Sequence, residues 1–454
     1  MRVRFWGTRG SIATPGPDTT YFGGNTSCVE LTTNDGHRFV LDCGTGARPL
    51  GAHWMANVSK PVRASILIGH THWDHIQGFP FFAPFFIPGN EFSVYAPNGE
   101  GSSLHKVLAG QMEFTYFPVD LGQLPATLSY CDLAEGVHQI GGAQVGAQYM
   151  NHPAVTLGYR IQADGVTVAY LCDHEPFSET LWRHDSPPGK MESILHDGDR
   201  RHASFMAGAD LVIHDAQYSP EEYPAKKNWG HSTYEYVLGL AVAAGVPKLA
   251  LTHHDPTHSD AFLTDLEERA REASRRWGAS TEVFCAYEGL DLHVESLAGA
   301  RPAEPVVAAT PAFSAGGKLI LVVDDNESHR TLAKQTLERW NFKVRLASSG
   351  EQALGILENL QPDLVLLDMV MPAPDGLEVL KALRAQPQSA YLPVMLLTAS
   401  NDEATAHACF DAGATDFLTK PFTIPQLIAR VRACLARAAQ GRHDLSASEP
   451  AHAK

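Results

Sequence analysis

Two consecutive α/β domains of different construction are predicted for this chain of 454 residues. Three observations predict them. Up to about residue 297, short β-rich runs alternate with Gly, Pro and Asn turns, and longer helical stretches follow. From about residue 318, continuous apolar runs alternate with amphipathic segments, the pattern of buried parallel strands covered by helices. Between them, residues 298–317 carry three Pro, three Gly and many Ala without periodicity, which reads as a linker. The length alone exceeds one ordinary domain.

In the first domain, Val29–Leu31 and Arg38–Leu41 read as a hairpin around Asn34-Asp35-Gly36, and Leu157–Gln162 with Val166–Leu171 as another turned by Ala163-Asp164-Gly165. Helical stretches follow at 232–244 and 260–277. In the second domain, the apolar runs 319–323, 364–367 and 394–397 predict buried strands, with helices at about 327–340, 350–359 and 375–385. Such a doubly wound sheet places its chemistry at the carboxyl ends of the strands. Residues 439–454 read as a disordered tail. Residues 80–130 are rich in Phe, Pro and Gly, including Phe79-Pro80-Phe81-Phe82-Ala83-Pro84-Phe85-Phe86, and read as an apolar wall or lid, or a dimer surface. No internal repeat is visible.

The net charge of −16 is unevenly spread. Residues 1–300 hold 20 basic and 34 acidic residues, a net −14, against −2 for the remainder. An acidic first domain argues against a large nucleic-acid footprint, which needs a basic face. A small anionic substrate held by metals remains compatible. Seven scattered Cys without a Cys-x-x-Cys pair suit a reducing cytosol. The amino-terminal residues lack the apolar segment of a signal peptide, and no run approaches a transmembrane length, so a cytoplasmic location without membrane contact is expected.

The stretch His70-Thr71-His72-Trp73-Asp74-His75 crowds four metal-ligand side chains into six residues after the apolar run 65–69. Imidazole suits zinc, iron or copper, and carboxylate adds a hard oxygen. Burying these groups together without a metal would leave costly unsatisfied atoms. Further candidates end apparent strands: His152, Asp173, and His253 or His254.

This His-x-His-x-Asp-His pattern resembles the signature of the metallo-β-lactamase fold hydrolases. The likeness covers roughly residues 1–295, through Phe5-Trp6-Gly7-Thr8-Arg9-Gly10, Leu41-Asp42-Cys43-Gly44-Thr45-Gly46 and Leu251-Thr252-His253-His254-Asp255-Pro256, and looks most like the ribonuclease Z-like phosphodiesterase branch. The resemblance implies a four-layer αββα sandwich holding two metal ions. It puts His70, His72 and His152 on one metal, Asp74, His75 and His253 on the other, and Asp173 between them. His253 is preferred to His254 because the family's ligand follows the strand-ending Thr. The metals are expected to be zinc, with manganese or iron served by the same ligands. Zinc brings the pKa of bound water to about 7, and paired metals can hold a nucleophile and a phosphoryl oxygen together.

Trp229-Gly230-His231-Ser232-Thr233 resembles the family's Gly-His-Ser-Thr motif, with Ser232 or Thr233 placed to cap a helix. Ile213-His214-Asp215-Ala216-Gln217-Tyr218 resembles the segment whose acid supports that His. By this likeness His231 is general acid or phosphate clamp, Asp215 its orienting partner, and Asp74 joins them in the catalytic set. Lys226 and Lys227 could assist with phosphate, although solvated surface lysines are the plainer reading. Asp42 and Gly23-Gly24-Asn25-Thr26-Ser27 are expected to shape loops near the site. The basic arm of transfer-RNA-processing members has no counterpart here, which favours a smaller diester or nucleotide.

In the second domain, Asp324, Asp325 and Asp368 follow strands, as do Thr398 and Lys420. Three acids converging at strand ends make a hard-oxygen Mg²⁺ site. The set resembles the response-regulator receiver domain, a doubly wound, flavodoxin-like fold, over about 318–438. The resemblance makes Asp368 the acceptor of phosphate from a sensor histidine kinase. Asp324, Asp325 and the Met369 carbonyl then bind Mg²⁺, and Thr398, Phe417 and Lys420 report phosphorylation.

Three readings follow. The first is a two-component output enzyme, a metal-dependent phosphodiesterase controlled through Asp368, with a homodimer as one form of control. The second keeps the metals but cleaves lactones or thioesters. The third is a non-catalytic interaction protein switched by phosphorylation. No DNA-binding helix-turn-helix is evident.

Overall fold

The computed structural model describes all residues except 60, 98–102, 179, 183–188, 297–316, 387, 400–407, 411, 421, 423, 425, 426, 429, 433 and 436–454. The expected linker and tail therefore lie almost wholly outside the described residues. The chain divides into two compact units, one within residues 1–309 and one built mainly from the residues after 309.

The first unit is a sandwich of two seven-stranded sheets. One sheet holds β1 (Arg2–Gly7), β2 (Cys28–Thr32), β3 (Arg38–Leu41), β4 (Arg63–Leu67), β5 (Glu91–Pro97), β6 (Thr127–Leu133) and β14 (Asp291–His293), in the order β14-β1-β2-β3-β4-β5-β6. The other holds β7 (Gly136–Ile140), β8 (Ala143–Tyr149), β9 (Leu157–Ala163), β10 (Val166–Leu171), β11 (Leu211–Asp215), β12 (Lys248–Thr252) and β13 (Glu282–Cys285), running β13 to β7. Both expected hairpins form, β2 with β3 and β9 with β10, each antiparallel. Period-2 alternation divides β4: Ala64 and Ile66 join one apolar cluster while Leu67 is buried outside it.

Helices cover the outer faces. Residues of α1 (Ala47–Asn57) and α3 (Leu104–Gln111) pack on the first sheet. Those of α4 (Asp197–Met206), α5 (Tyr234–Ala243) and α6 (Asp260–Arg276) pack on the second. A short helix, α2 (Trp73–Ile76), carries the metal-ligand motif. Polar bridges tie the two sheets where the motif loops lie. Tyr159 on β9 donates its hydroxyl to the Ile68 carbonyl (2.7 Å), and Leu157 N donates to the Gly69 carbonyl (2.9 Å).

Residues 80–130 correct the expectation of a lid. Phe79, Phe82 and Phe85 recur every third residue through two 3-10 turns, so all three rings fall on one face and are fully buried against α1. Phe82 meets Trp54 edge-on with centroids 5.5 Å apart. The chain then supplies β5, α3 and β6, so most of the segment is core and sheet. Among its described residues, the large hydrophobic side chains that stay exposed are Phe81, Phe114 and Tyr116.

The second unit is a parallel sheet of β15 (Leu319–Val323), β16 (Lys343–Ala347), β17 (Leu364–Asp368), β18 (Val394–Thr398) and β19 (Asp416–Thr419), ordered β16-β15-β17-β18-β19. With α7 (Glu327–Arg339), α8 (Gly350–Leu357) and α9 (Gly376–Arg384) it is doubly wound and flavodoxin-like. The central strands are continuous apolar runs because both faces are covered. Strand β16 is the exception, reading exposed or half-buried along most of its length at the sheet edge, which is why its apolar signal is weak in the sequence.

Replacing Phe82 with Ala removes a fully buried ring from the α1 layer. Unfolding in urea is expected to show a loss of about 3–5 kcal/mol. An unchanged midpoint would show that the Phe run is not core.

Candidate metal centre

Each candidate ligand sits on a loop at a strand end, where backbone direction fixes where the side chain aims. His70 and His72 follow β4, Asp74 and His75 open α2, Asp173 follows β10, and His253 follows β12. Asp173 and His253 both take positive φ, +60° and +59°, as do Asp42 and Ser11 at +59° and +61°. Non-glycine residues rarely stay there unless the surroundings over-determine them. Gly10 permits the close approach: a Cβ there would lie 2.3 Å from His253 Nδ1.

The side chains converge in two groups sharing one carboxylate. On one side, Asp173 Oδ2 lies 3.5 Å from His70 Nε2 and 3.8 Å from His152 Nε2, and His152 Nε2 lies 3.3 Å from His72 Nδ1. On the other, Asp173 Oδ1 lies 3.3 Å from His75 Nε2 and 3.2 Å from His253 Nε2. Asp74 Oδ2 completes that group at 3.3 Å from His75 Nε2 and 3.0 Å from His253 Nε2. The seven residues named from the sequence are thus brought together, with Asp173 facing both ways. His254 turns away, its Nε2 within 2.8 Å of the Ala286 carbonyl. Cys172 lies beside the second group, but burial first, then nearby carboxylates, keep its thiol protonated.

The donor set fits divalent cations. His70 Nε2, His75 Nε2 and Asp173 Oδ1, which face one another in the cluster, are buried without a hydrogen-bond partner. Buried polar atoms are normally paired. Asp42, Asp74 and Asp173 face imidazoles and hydroxyl or amide donors, with no Lys or Arg among their described ion-pair partners. Burial opposes charge on His75, yet Asp74, Asp173 and Asp42 outweigh it and hold the imidazole well above its ordinary value. Without a metal, the carboxylates draw protons onto the neighbouring rings. His152 goes the other way, pushed down to about 3 chiefly by burial, so it stays neutral and able to ligate.

Supporting contacts orient the rings. His75 Nδ1 lies 2.7 Å from Asp42 Oδ2, which also accepts from the Tyr170 hydroxyl at 2.5 Å, while Asp42 Oδ1 accepts from Gly69 N at 2.7 Å. A carboxylate can only accept here, so Nδ1–H donates and Nε2 is the nitrogen left for a metal ion to take. Asp42 therefore does more than shape a loop. His152 Nδ1 is held in the same way by the Gly230 carbonyl at 2.9 Å. Glu175 fixes that loop by accepting from Asn228 N and Gly230 N at 2.6 and 3.0 Å. No sequence signal marked Glu175 beyond its place after Asp173-His174.

His231 lies at the cluster's rim. Its ring stacks on His253 with centroids 4.8 Å apart, and Nδ1 is 3.3 Å from Asp215 Oδ2 and 4.0 Å from Asp173 Oδ2. Thr233, not Ser232, caps α5, accepting from Tyr236 N, while Ser232 N donates to Asp215 Oδ2. Burial would raise the Asp215 carboxyl, but hydrogen bonds from His214 and His231 outweigh it and hold the group far below the usual range. Behind it lies a pair unseen in the sequence: His214 Nε2 and His202 Nε2 are 2.8 Å apart, and His214 Nδ1 is 2.7 Å from the Asp215 carbonyl.

In the second unit, the expected residues meet at the strand ends. Lys420 Nζ lies 3.1 Å from Asp324 Oδ2 and 3.0 Å from Asp368 Oδ2, and Lys420 N donates to the Thr398 carbonyl at 2.7 Å. Burial and Asp324 raise the Asp368 carboxyl against the pull of Lys420. Asp325 is exposed beside them. The Met369 carbonyl accepts from Gly376 N at 3.2 Å, and Phe417 is buried against Phe410. His329 Nδ1 also lies 3.2 Å from Asp324 Oδ2, a neighbour that no local sequence pattern marks. Among the described residues, no helix is long and apolar enough to cross a membrane.

Residues 37–254 match the family model of the beta-lactamase superfamily domain, and residues 320–432 that of the response regulator receiver domain. Over 120 residues the chain is 45% identical to the alkaline phosphatase synthesis transcriptional regulatory protein PhoP of Bacillus subtilis, covering 26% of this chain and 49% of that protein. The chain spans about half the length of the curated relatives it matches. Human tRNase Z, short form, is 20% identical over 65% of this chain and all of that one, with a TM-score of 0.43. Chemotaxis protein CheY4 of Vibrio cholerae is 30% identical over 26% of this chain and 98% of that one, with a TM-score of 0.25.

Changing Asp42 to Asn puts an NH2 donor in place of one of the two acceptor oxygens that hold Gly69 N, the Tyr170 hydroxyl and His75 Nδ1. Metal affinity, measured by competition with a chelator, is expected to fall about 10–100-fold. Unchanged affinity would show that Tyr170 and burial alone orient His75.

Proposed function

From the premise that this chain joins a beta-lactamase superfamily domain to a response regulator receiver domain, we propose that it is a metal-dependent phosphodiesterase acting on a small diester and controlled by phosphorylation of Asp368. One observation carries the choice of bond. Beside the cluster stands an imidazole, His231, steadied by a buried carboxylate, Asp215, with its Nε2 bonded to nothing among the described residues.

His70, His72, His152 and Asp173 would hold one divalent ion, and Asp74, His75, His253 and Asp173 the second. Bound there, the ions supply Lewis acidity toward a phosphoryl oxygen and a water acidified to near-neutral pH. Asp215 accepts from His231 Nδ1–H and stabilises the imidazolium, so that Nε2–H can pass its proton to the departing oxygen. A phosphodiester needs such a donor because its leaving alkoxide is a strong base. Asp42 and the Gly230 carbonyl keep the ligand rings in register throughout. Zinc is the first choice of metal, with manganese and iron as alternatives on the same donors.

The receiver would take phosphate on Asp368 from a sensor histidine kinase, with Mg²⁺ held by Asp324, Asp325 and the Met369 carbonyl. Lys420 pairs with both Asp324 and Asp368, so a phosphoryl group must redraw this pairing. Thr398 and Phe417, on the adjoining strands, transmit that change.

Purified protein supplied with zinc or manganese is expected to hydrolyse bis(p-nitrophenyl) phosphate. His72→Ala is expected to abolish turnover; on a diester whose leaving group is an alkoxide, such as 3′,5′-cyclic AMP, His231→Ala is expected to lower kcat about 10²–10⁴-fold with both metals retained. Full activity of His231→Ala on such a diester would sink the phosphodiester reading. Acetyl phosphate with Mg²⁺ is expected to change either the rate or the mass in solution of wild type, and neither in Asp368→Asn. Equal rates and equal masses with and without phosphorylation would refute control through Asp368.

A further inference from the structure

One wall beside the cluster holds an arrangement that the metal centre does not use. Tyr218 follows β11 and is 1% exposed, its ring edge-on to that of His231 with centroids 6.0 Å apart. Its hydroxyl is buried without a hydrogen-bond partner. Such a group is costly unless a ligand completes it. Burial first, then the charges of Asp255, Asp215, Glu175 and Asp173, push the phenol up, so it remains an O–H donor at working pH. Gln217 Oε1, next in the chain, is also buried and unpartnered, while Gln217 Nε2 donates to Ser11 Oγ at 3.2 Å.

Lys226 stands over the same wall. Its ammonium lies 5.7 Å from the Tyr218 ring centroid and 4.5 Å from that of Trp229, and it makes no ion pair among the described residues. Trp229 precedes His231 by two residues and leaves 58% of its surface to solvent. A large exposed indole held by a cation on one face is a poor use of surface unless something stacks there. Hydroxyl, ammonium and indole, all between Tyr218 and Trp229 just ahead of His231, are groups suited to an oxyanion and a flat ring.

We propose that Tyr218, Lys226 and Trp229 form a nucleoside subsite: the indole stacks the base, and the ammonium and hydroxyl face the phosphate and sugar oxygens. This names the substrate class for the phosphodiesterase reading and rests on it. A single nucleotide unit fits better than a polynucleotide. The first 300 residues carry a net −14, and a long polyanion needs a run of basic contacts, which this acidic balance disfavours. A mononucleotide needs one ammonium and one stack. Base–aromatic stacking of about 1–3 kcal/mol corresponds to roughly 5–150-fold in affinity.

The test is calorimetric binding of AMP and of ribose 5-phosphate to the full-length, metal-loaded chain. The two ligands share a sugar phosphate and differ only in the base. Wild type is expected to favour AMP at least about tenfold, Trp229→Ala to lose most of that preference, and Trp229→Phe to keep it. Tyr218→Phe is expected to weaken both ligands together. Equal binding of AMP and ribose 5-phosphate by wild type, or an unaltered preference in Trp229→Ala, overturns the subsite whatever the turnover. A preference that depends on Trp229 in a protein that hydrolyses no diester upholds the subsite and removes the phosphodiesterase reading instead.

Discussion

The carboxylates of Asp42, Asp74, Asp173 and Asp215 are buried in the first domain, and imidazoles are their described ion-pair partners. Ionised carboxylates taken from water cost several kcal/mol each unless countercharge is close. An arginine or lysine would have supplied it, but would also have filled the space between them. Histidines leave lone pairs aimed inward and the charge unbalanced, a demand that divalent cations meet. The positive φ at Asp42, Asp173 and His253, the glycine under His253, and the cross-sheet hydrogen bonds of Tyr170 and Tyr159 all serve to hold these groups close. They explain why the loops, which carry the chemistry, are among the best-anchored parts of the unit.

The second domain solves a related problem in the opposite way. Asp324 and Asp368 also meet at strand ends, but Lys420 reaches between them and neutralises part of the charge. Under the proposed function, a phosphoryl group on Asp368 would upset that arrangement. A permanent deficit in one domain suits a resident cofactor. A balance that one phosphoryl group can upset suits a signal.

The wall around His231 shows how one buried acid organises several functions. Asp215 accepts from His174 N and Ser232 N as well as facing His231 and His214. Those contacts tie the end of β11 to the loop after β10 and to the entry of α5. Tyr218 and Gln217 extend from the same segment toward the rim. A single strand end thus connects the candidate ligand Asp173, the His231 imidazole and the aromatic wall.

Much of this was legible in the amino-acid order, for physical reasons that differ by element. Hairpins at 28–41 and 157–171, helices at 234–243 and 260–276, and the central strands of the second domain follow from local turn chemistry and periodicity. The motif His70 to His75 announced itself because four ligand types in six residues have few other uses. What periodicity could not supply were positions whose meaning depends on partners far along the chain. The Phe79–Phe86 run read as a lid because apolarity alone does not say whether a face meets solvent or α1. Asp42, Glu175 and the His202–His214 pair are ordinary residues in sequence and acquire roles only across separations of 12 to 55 residues. The choice between His253 and His254 is the sharpest case. Both follow the same strand, and only the backbone turn at His253, set by packing against Gly10, sends one imidazole to Asp74 and the other to the Ala286 carbonyl. Composition and local pattern determined which elements form and which chemistry they carry; tertiary packing decided where each side chain aims, because direction at a loop is fixed by what the loop packs against.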